Sequence, residues 1–119
     1  MVIRQGEIYW AELAIPEGSE PGQPRPVVII QNNFANASRI GTVIVCGLTS
    51  NLKRADGPGN VLLNPGEAGL PKQSVINVSQ VITVDKSQLG EYLGKLSESR
   101  IHQVILGIRF FIEPREYED

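Results

Sequence analysis

The sequence predicts a mainly β fold: a small, strongly bent sheet or barrel of short strands, capped by one helix near the C-terminus. Three observations carry this expectation. Short β-branched runs recur along the chain, Gly and Pro turn signals separate them at close intervals, and a helical apolar repeat occurs only after residue 97. At 119 residues the chain fits one domain, residues 1–119, long enough to bury a core without disulfide or metal staples.

Glu7 to Leu13 reads as a first strand, with Ile8 and Trp10 marking a β-favouring segment between charged ends. Residues 14–24 form a Pro/Gly loop. Val27 to Gln31 is a near-continuous β-branched run, expected to be a central strand covered on both faces. Asn32 to Gly41 suits turns or a short helical piece. Thr42 to Thr49 is apolar on both alternating sets, so it is expected inside the sheet, with Gly47 permitting a bend or bulge.

Residues 50–60 have the composition of a mobile loop carrying Lys53 and Arg54, and Val61 to Asn64 is a brief strand. Ser74 to Val84 reads as one long strand or two short ones. A segment of mixed character, Gln88 to Gly94, then leads into the helix. Ser97 is its expected N-cap and Glu98 favours the dipole in the first turn. Ile101, Val104, Ile105, Ile108 and Ile112 form the stripe expected to pack on the sheet, and Pro114 ends the helix. The acidic end after it is expected to fray.

Composition narrows the chemistry. The first residues lack the long apolar stretch of a signal peptide and no run approaches the length of a membrane span, so a soluble, cytoplasmic protein is expected. Cys46 is the only cysteine and lies in an apolar strand, which reads as a buried structural thiol. The single histidine, His102, sits beside the apolar stripe and reads as solvent-facing or structural. There is no Cys/His cluster for zinc, no phosphate-loop pattern and no nucleophile elbow. Acid–base work is left to carboxylates, hydroxyls, arginine or the substrate.

Net charge is −2, which by itself gives no support to a nucleic-acid partner, but its distribution is uneven. Residues 1–24 carry one basic and four acidic groups, residues 25–90 six and three, and residues 91–119 four and six. A positive middle between acidic ends allows local attraction to a phosphate chain.

Two positions stand out in that middle. Arg25 lies between Pro24 and Pro26, on backbone that proline biases to the extended region, at the mouth of a core strand. A guanidinium held on a strand end suits a phosphate or carboxylate. Thr49 and Ser50 are hydroxyls at the end of the next long strand. If the two strands are antiparallel neighbours, Arg25 and Thr49 meet.

Gly6-Glu7-Ile8-Tyr9-Trp10, Gly18-Ser19-Glu20 through Arg25-Pro26-Val27-Val28-Ile29-Ile30-Gln31-Asn32, and Thr42-Val43-Ile44-Val45 to Leu48-Thr49-Ser50 form a consistent pattern. With Gly69-Leu70-Pro71-Lys72 and Thr83-Val84-Asp85-Lys86 through Leu96, it resembles the MazF/PemK family of toxin endoribonucleases, in order over nearly the whole chain. The resemblance implies an SH3-like small barrel with a C-terminal helix and a homodimer. It also implies metal-independent cleavage of single-stranded RNA at short sequences, without a cofactor, and silencing by a cognate antitoxin protein. The implied products carry a 2′,3′-cyclic phosphate and a 5′-hydroxyl.

Carried onto this chain, the resemblance makes Arg25 and Thr49 the catalytic residues. It sets Ser19, Glu20, Gln31, Ser50, Lys53, Arg54, Ser74 and Gln80 in or near the RNA path. The chain departs from the family pattern where base recognition is expected. Gln73, Ser79 and Ile82 stand where relatives often carry Asp, an acidic residue and Arg, and residues 50–60 hold no histidine. The cleavage sequence therefore cannot be carried over from relatives. A second class, a gyrase poison of the CcdB type, shares the fold but depends on a tryptophan near the C-terminus, whereas the only tryptophan here is Trp10. A third is an inactive relative that only binds RNA or antitoxin.

Overall fold

The computed structural model describes residues 2–12 and 24–117. In chain order these form β1 (Glu7–Glu12), β2 (Pro24–Ile29), α1 (Asn33–Asn36), β3 (Thr42–Thr49), β4 (Val61–Leu62), β5 (Val75–Asp85), β6 (Leu89–Lys95) and α2 (Glu98–Ile112). The strands make one antiparallel sheet in the order β4-β5-β3-β2-β1-β6. The mainly β expectation holds, and β2 and β3 are central. Val27, Val28, Ile29, Val43, Val45 and Cys46 are all essentially inaccessible to solvent, as two-sided burial of an interior strand requires.

Two apolar clusters occupy the two sides of the sheet. One joins Ile8, Val28, Cys46, Leu48, Ile76 and Val78 to Val104 and Ile108 of α2. The other joins Tyr9, Val27, Ile29, Val43 and Val45 to Ile3, Val84 and Leu89. Alternate residues of β2 and β3 feed opposite clusters, the period of two a strand imposes.

Among the described residues strand pairing does not run full circle. The opening between edge strands β4 and β6 is bridged by the 3₁₀ turn Glu67–Gly69, whose backbone lies directly on β6. A Cβ on Gly94 would sit 2.1 Å from the Ala68 carbonyl oxygen. Backbone packs on backbone there, and only glycine permits the approach.

Segment Gln88 to Gly94, carrying no strand expectation, becomes most of β6 and pairs with β1. Its glycines weaken local strand preference, and tertiary contact with β1 and the 66–70 turn decides the matter. The helix has the expected cap: Ser97 accepts from the Arg100 N–H, and Glu98 lies in the first turn. The apolar stripe is shorter than expected, however. Val104, Gly107 and Ile108 are its buried centre, while Ile112 is 71% exposed because the helix outruns the sheet.

Candidate active site

The prolines around Arg25 shape the site by what they cannot donate. The Ile30 N–H donates to the Ile44 carbonyl of β3, and the Gly6 N–H donates to the Ile29 carbonyl from the β1 side. Even-numbered amides of β2 thus point toward β3 and odd-numbered ones toward β1. Pro24 and Pro26 sit at even positions and have no N–H. Pairing with β1 runs the whole strand, but pairing with β3 covers only Val27–Gly47, Val28–Cys46 and Ile29–Val45. Arg25 therefore lies inside β2 and not before it. Continuing the β2–β3 register by two residues sets it opposite Thr49. The strands part where both reach the surface.

Two adjoining clefts open there, and Arg25, Thr49 and Asn51 line both. The larger, about 600 Å³, adds Lys53, Arg54, Asn60, Asn77, Ser79, Gln80 and Phe111. The smaller, about 510 Å³, adds Trp10, Ser50, Lys72 and Ser74. Among the described residues, every charged side chain lining either cleft is cationic.

Thr49 Oγ1 accepts from the Asn51 N–H at 3.1 Å, so its hydroxyl proton is directed to another acceptor. Residues 50–60, expected as a mobile loop, form a 3₁₀ turn, Leu52–Asp56, with both ends tied by side chains. Asn51 accepts from the Lys53 N–H. Asn60 donates to the Arg54 carbonyl and accepts from the Val78 N–H. Lys53 and Arg54 are exposed but stand on braced backbone.

The far wall is a bulge in β5. Cys46 pairs with Val81 and Leu48 with Ile76, so Asn77 to Gln80 all face the single residue Gly47. The bend expected at Gly47 thus occurs as a large excess of residues on its partner strand. The position normally taken by a side chain on Gly47 is filled by the Gln80 amide: a Cβ there would lie 2.7 Å from Gln80 Oε1. Asn77, Ser79 and Gln80 line the larger cleft from this bulge.

Of the sequence-predicted residues, the structure gathers Arg25, Thr49, Ser50, Lys53, Arg54, Ser74 and Gln80 around the paired clefts. Ser19 and Glu20 lie outside the described residues. Gln31 is not part of the group. It follows the far end of β2, about 20 Å along the strand from Arg25, and is 8% exposed. Its amide donates to Asn36 Oδ1 and accepts from the Ile44 N–H, while Asn36 donates to the Gln31 carbonyl. That amide is spent on anchoring α1. Sequence reading missed Asn51, Asn60, Asn77, Trp10 and Phe111, whose only local signal was polar or aromatic character near loops.

Cys46 is excluded as a nucleophile: burial pushes its thiol up to about 12, and its S–H donates to the Asn77 carbonyl. His102 is exposed on α2 and lines neither cleft. Among the described residues no group of three or more His, Cys, Asp or Glu side chains gathers as metal ligands would, and no helix is long and apolar enough to cross a membrane.

Residues 4–112 match the family model of PemK-like, MazF-like toxins of type II toxin–antitoxin systems. The chain is 45% identical over 109 residues to Endoribonuclease MazF6 of Mycobacterium tuberculosis, an overlap spanning 92% of this chain and 96% of that protein. It is 43% identical over 103 residues to Endoribonuclease MazF of Staphylococcus epidermidis, covering 87% and 85% of the two chains. Among solved structures, a mycobacterial endoribonuclease in complex with its cognate antitoxin superposes with a TM-score of 0.76 at 23% identity. It covers 96% of this chain and 99% of that one, a likeness of fold.

Proposed function

The chain belongs to the PemK-like, MazF-like toxins of type II toxin–antitoxin systems, and from that premise we propose that Arg25 and Thr49 are the centre of its endoribonuclease site. The observation that carries the assignment is the cleft they share, whose charged lining among the described residues is entirely cationic. Such a cleft attracts a phosphate chain and repels nothing on it.

The substrate is single-stranded RNA, cut by its own 2′-hydroxyl. The 2′-oxygen bonds to the adjacent phosphorus, the bond from phosphorus to the 5′-oxygen breaks, and the products are a 2′,3′-cyclic phosphate and a 5′-hydroxyl. The 2′-hydroxyl gives up its proton and the leaving oxygen gains one. DNA, lacking the nucleophile, is not a substrate. Negative charge grows on the phosphoryl oxygens as the new bond forms. Arg25 offers paired donors to that charge from a half-buried position. A guanidinium releases a proton too reluctantly to be the acid itself, so its role is electrostatic. Thr49 holds a phosphate or leaving-group oxygen through a hydrogen bond that its hydroxyl donates, with its own oxygen oriented by the Asn51 N–H. Ser50, Lys53, Arg54 and Gln80 hold the flanking RNA, and Ser19 and Glu20 contact it as well, while Ser74, 4% exposed and donating its hydroxyl to the Lys72 carbonyl, shapes the wall of the smaller cleft.

The reaction needs no metal or other cofactor. The toxin works in the cytoplasm as a homodimer, lowers translation by cutting messenger RNA, and is silenced by a cognate antitoxin. Leu62, Leu106 and Phe110, each more than 40% exposed, line one groove between β4 and α2, and a second copy covering apolar surface of this kind accounts for dimerisation. Sedimentation as a monomer at micromolar concentration would overturn the dimer.

The direct test is to incubate the purified protein with long single-stranded RNA in excess chelator and map the new ends. Discrete cuts leaving cyclic phosphate are expected. Intact RNA across several unrelated sequences would overturn the reading in favour of a binding-only protein or a gyrase poison.

A further inference from the structure

Phe111 is the one aromatic ring lining the larger cleft among the described residues, in a wall that is otherwise almost wholly polar. It is 48% exposed although it sits in the last turn of α2 on the same face as Val104, Gly107 and Ile108, which pack the core. A phenyl ring left half in water beside cationic and amide groups is poor packing for a core and well suited to a flat ligand.

Its position is set by contacts elsewhere. Gly107 lies one helical turn before Phe111, so the two share a face of α2. There the helix touches the loop after the Leu52–Asp56 turn backbone to backbone: a Cβ on Gly107 would fall 2.3 Å from the Gly59 carbonyl oxygen. That contact fixes the distance from α2 to Pro58 and to the Lys53–Arg54 turn. The Phe110 ring holds the Phe111 ring nearly perpendicular, at 86° and 5.2 Å between centroids. The Arg115 guanidinium in turn covers Phe110 at 5.0 Å.

We propose that Phe111 is a stacking wall for one nucleobase of the bound RNA, beside the phosphate held by Arg25. This rests on the endoribonuclease reading above. Every nucleobase has a π-face, and splayed single-stranded bases stack on aromatic rings in sites of this composition. The cleft volume of about 600 Å³ accommodates a nucleotide. Lys53 and Arg54 lie where its phosphate would run, and the amides of Asn77 and Gln80 lie in the same cleft, within reach of a base edge. Phe111 thus sets affinity and register along the strand, while Arg25 and Thr49 act on the bond.

The test pairs protein and RNA changes. The substrate is a short single-stranded RNA spanning a mapped cut, together with versions lacking one base at each flanking position in turn. A 2′-deoxy nucleotide at the cut makes an uncleavable copy for binding. Phe111→Leu keeps apolar bulk and removes the π-face, whereas Phe111→Tyr keeps it. Phe111→Leu is expected to raise KM, and to weaken binding of the uncleavable RNA, by about tenfold, with a smaller change in kcat. Phe111→Tyr is expected to restore wild-type behaviour. One abasic position should cost the wild type about as much as Phe111→Leu does, and cost the Phe111→Leu protein nothing further.

Equal KM and binding in wild type and Phe111→Leu, or equal abasic penalties in both proteins at every position, would overturn the proposal. So would a Phe111→Leu effect confined to the monomer–dimer equilibrium. The endoribonuclease reading fails separately: a wild type that binds a panel of oligoribonucleotides without cutting them sinks it. In that case tenfold weaker binding by Phe111→Leu still upholds stacking, and a wild type that binds none of them overturns both.

Discussion

The two ends of the β2–β3 pair are built from the same strands and behave as opposites. At one end Val27–Ile29 and Val45–Gly47 are paired and buried, and the strand exit is sealed by Gln31 and Asn36, whose amides bond each other and nearby backbone. At the other, Pro24 and Pro26 remove the donors that would continue the ladder, and Arg25 and Thr49 line an open, cationic cleft. The first end contributes stability, and the second is the end to which we assign the chemistry. Polar residues occur at both, and what separates them is burial: Gln31 and Asn36 are each 8% exposed and bonded to each other, whereas Lys53 and Arg54 stand in solvent at the cleft.

The contrast breaks most visibly at Arg25. Arg25→Ala is expected to lower single-turnover RNA cleavage by about 10²- to 10³-fold, the usual cost of one transition-state donor, with an unchanged melting temperature. Retained cleavage would remove this arginine from the chemistry. Gln31→Ala should do the reverse. It strips Asn36 and the Ile44 N–H of a partner and is expected to cost about 1–3 kcal/mol of stability, read by denaturant unfolding. Cleavage by the folded fraction should be unaltered, and a changed cut pattern at equal stability would return Gln31 to the RNA path.

Gly47 sharpens the comparison because it lies where the paired region meets the open one. Gly47→Ala puts a Cβ where the Gln80 amide now rests. The amide swings away while the fold holds. The expected outcome is a change of about tenfold in preference at one RNA position, seen by end-mapping. Wild-type selectivity would mean that the Gln80 amide reads nothing.

The smallest effects are those of pH on stability. The Arg100 guanidinium, paired with Glu67 at 2.9 Å, holds that carboxyl below its usual 4.5. A lowered folded value means stability that is present above the unfolded value and lost as pH falls through the folded one. Melting temperature should therefore drop below about pH 4.5, and drop less in Glu67→Gln. At the alkaline end, burial raises Tyr9 and Cys46 to about 12 from 10.0 and 9.0. Their contribution is complete below the unfolded values and lost as pH climbs through the folded ones. Melting curves between pH 8 and 11 check the sign.

Much of this was legible in local residue patterns. The β-branched runs at 27–30 and 42–46 had to be interior because both of their faces are apolar. Ser97, the Val104–Ile108 spacing and Pro114 defined α2 through capping and periodicity, which are short-range effects. Pro24 and Pro26 flanking Arg25 marked a stiff, extended arginine before any strand partner was known. Local pattern thus determined the fold class and the helix, and it singled out Arg25 and Thr49 as candidates that would meet if their strands paired antiparallel.

Tertiary structure decided what those signals share space with. Gln31 resembles Gln80 in type, yet one amide is consumed by α1 and the other rests on Gly47 in the cleft. β6 exists because β1 and the 66–70 turn hold a glycine-containing segment extended. Phe111 lines the cleft because Gly107 lets α2 touch the loop at Gly59. Each of these depends on which distant backbones come into contact, and a one-dimensional pattern cannot encode a distance between segments that meet only after the sheet has curled.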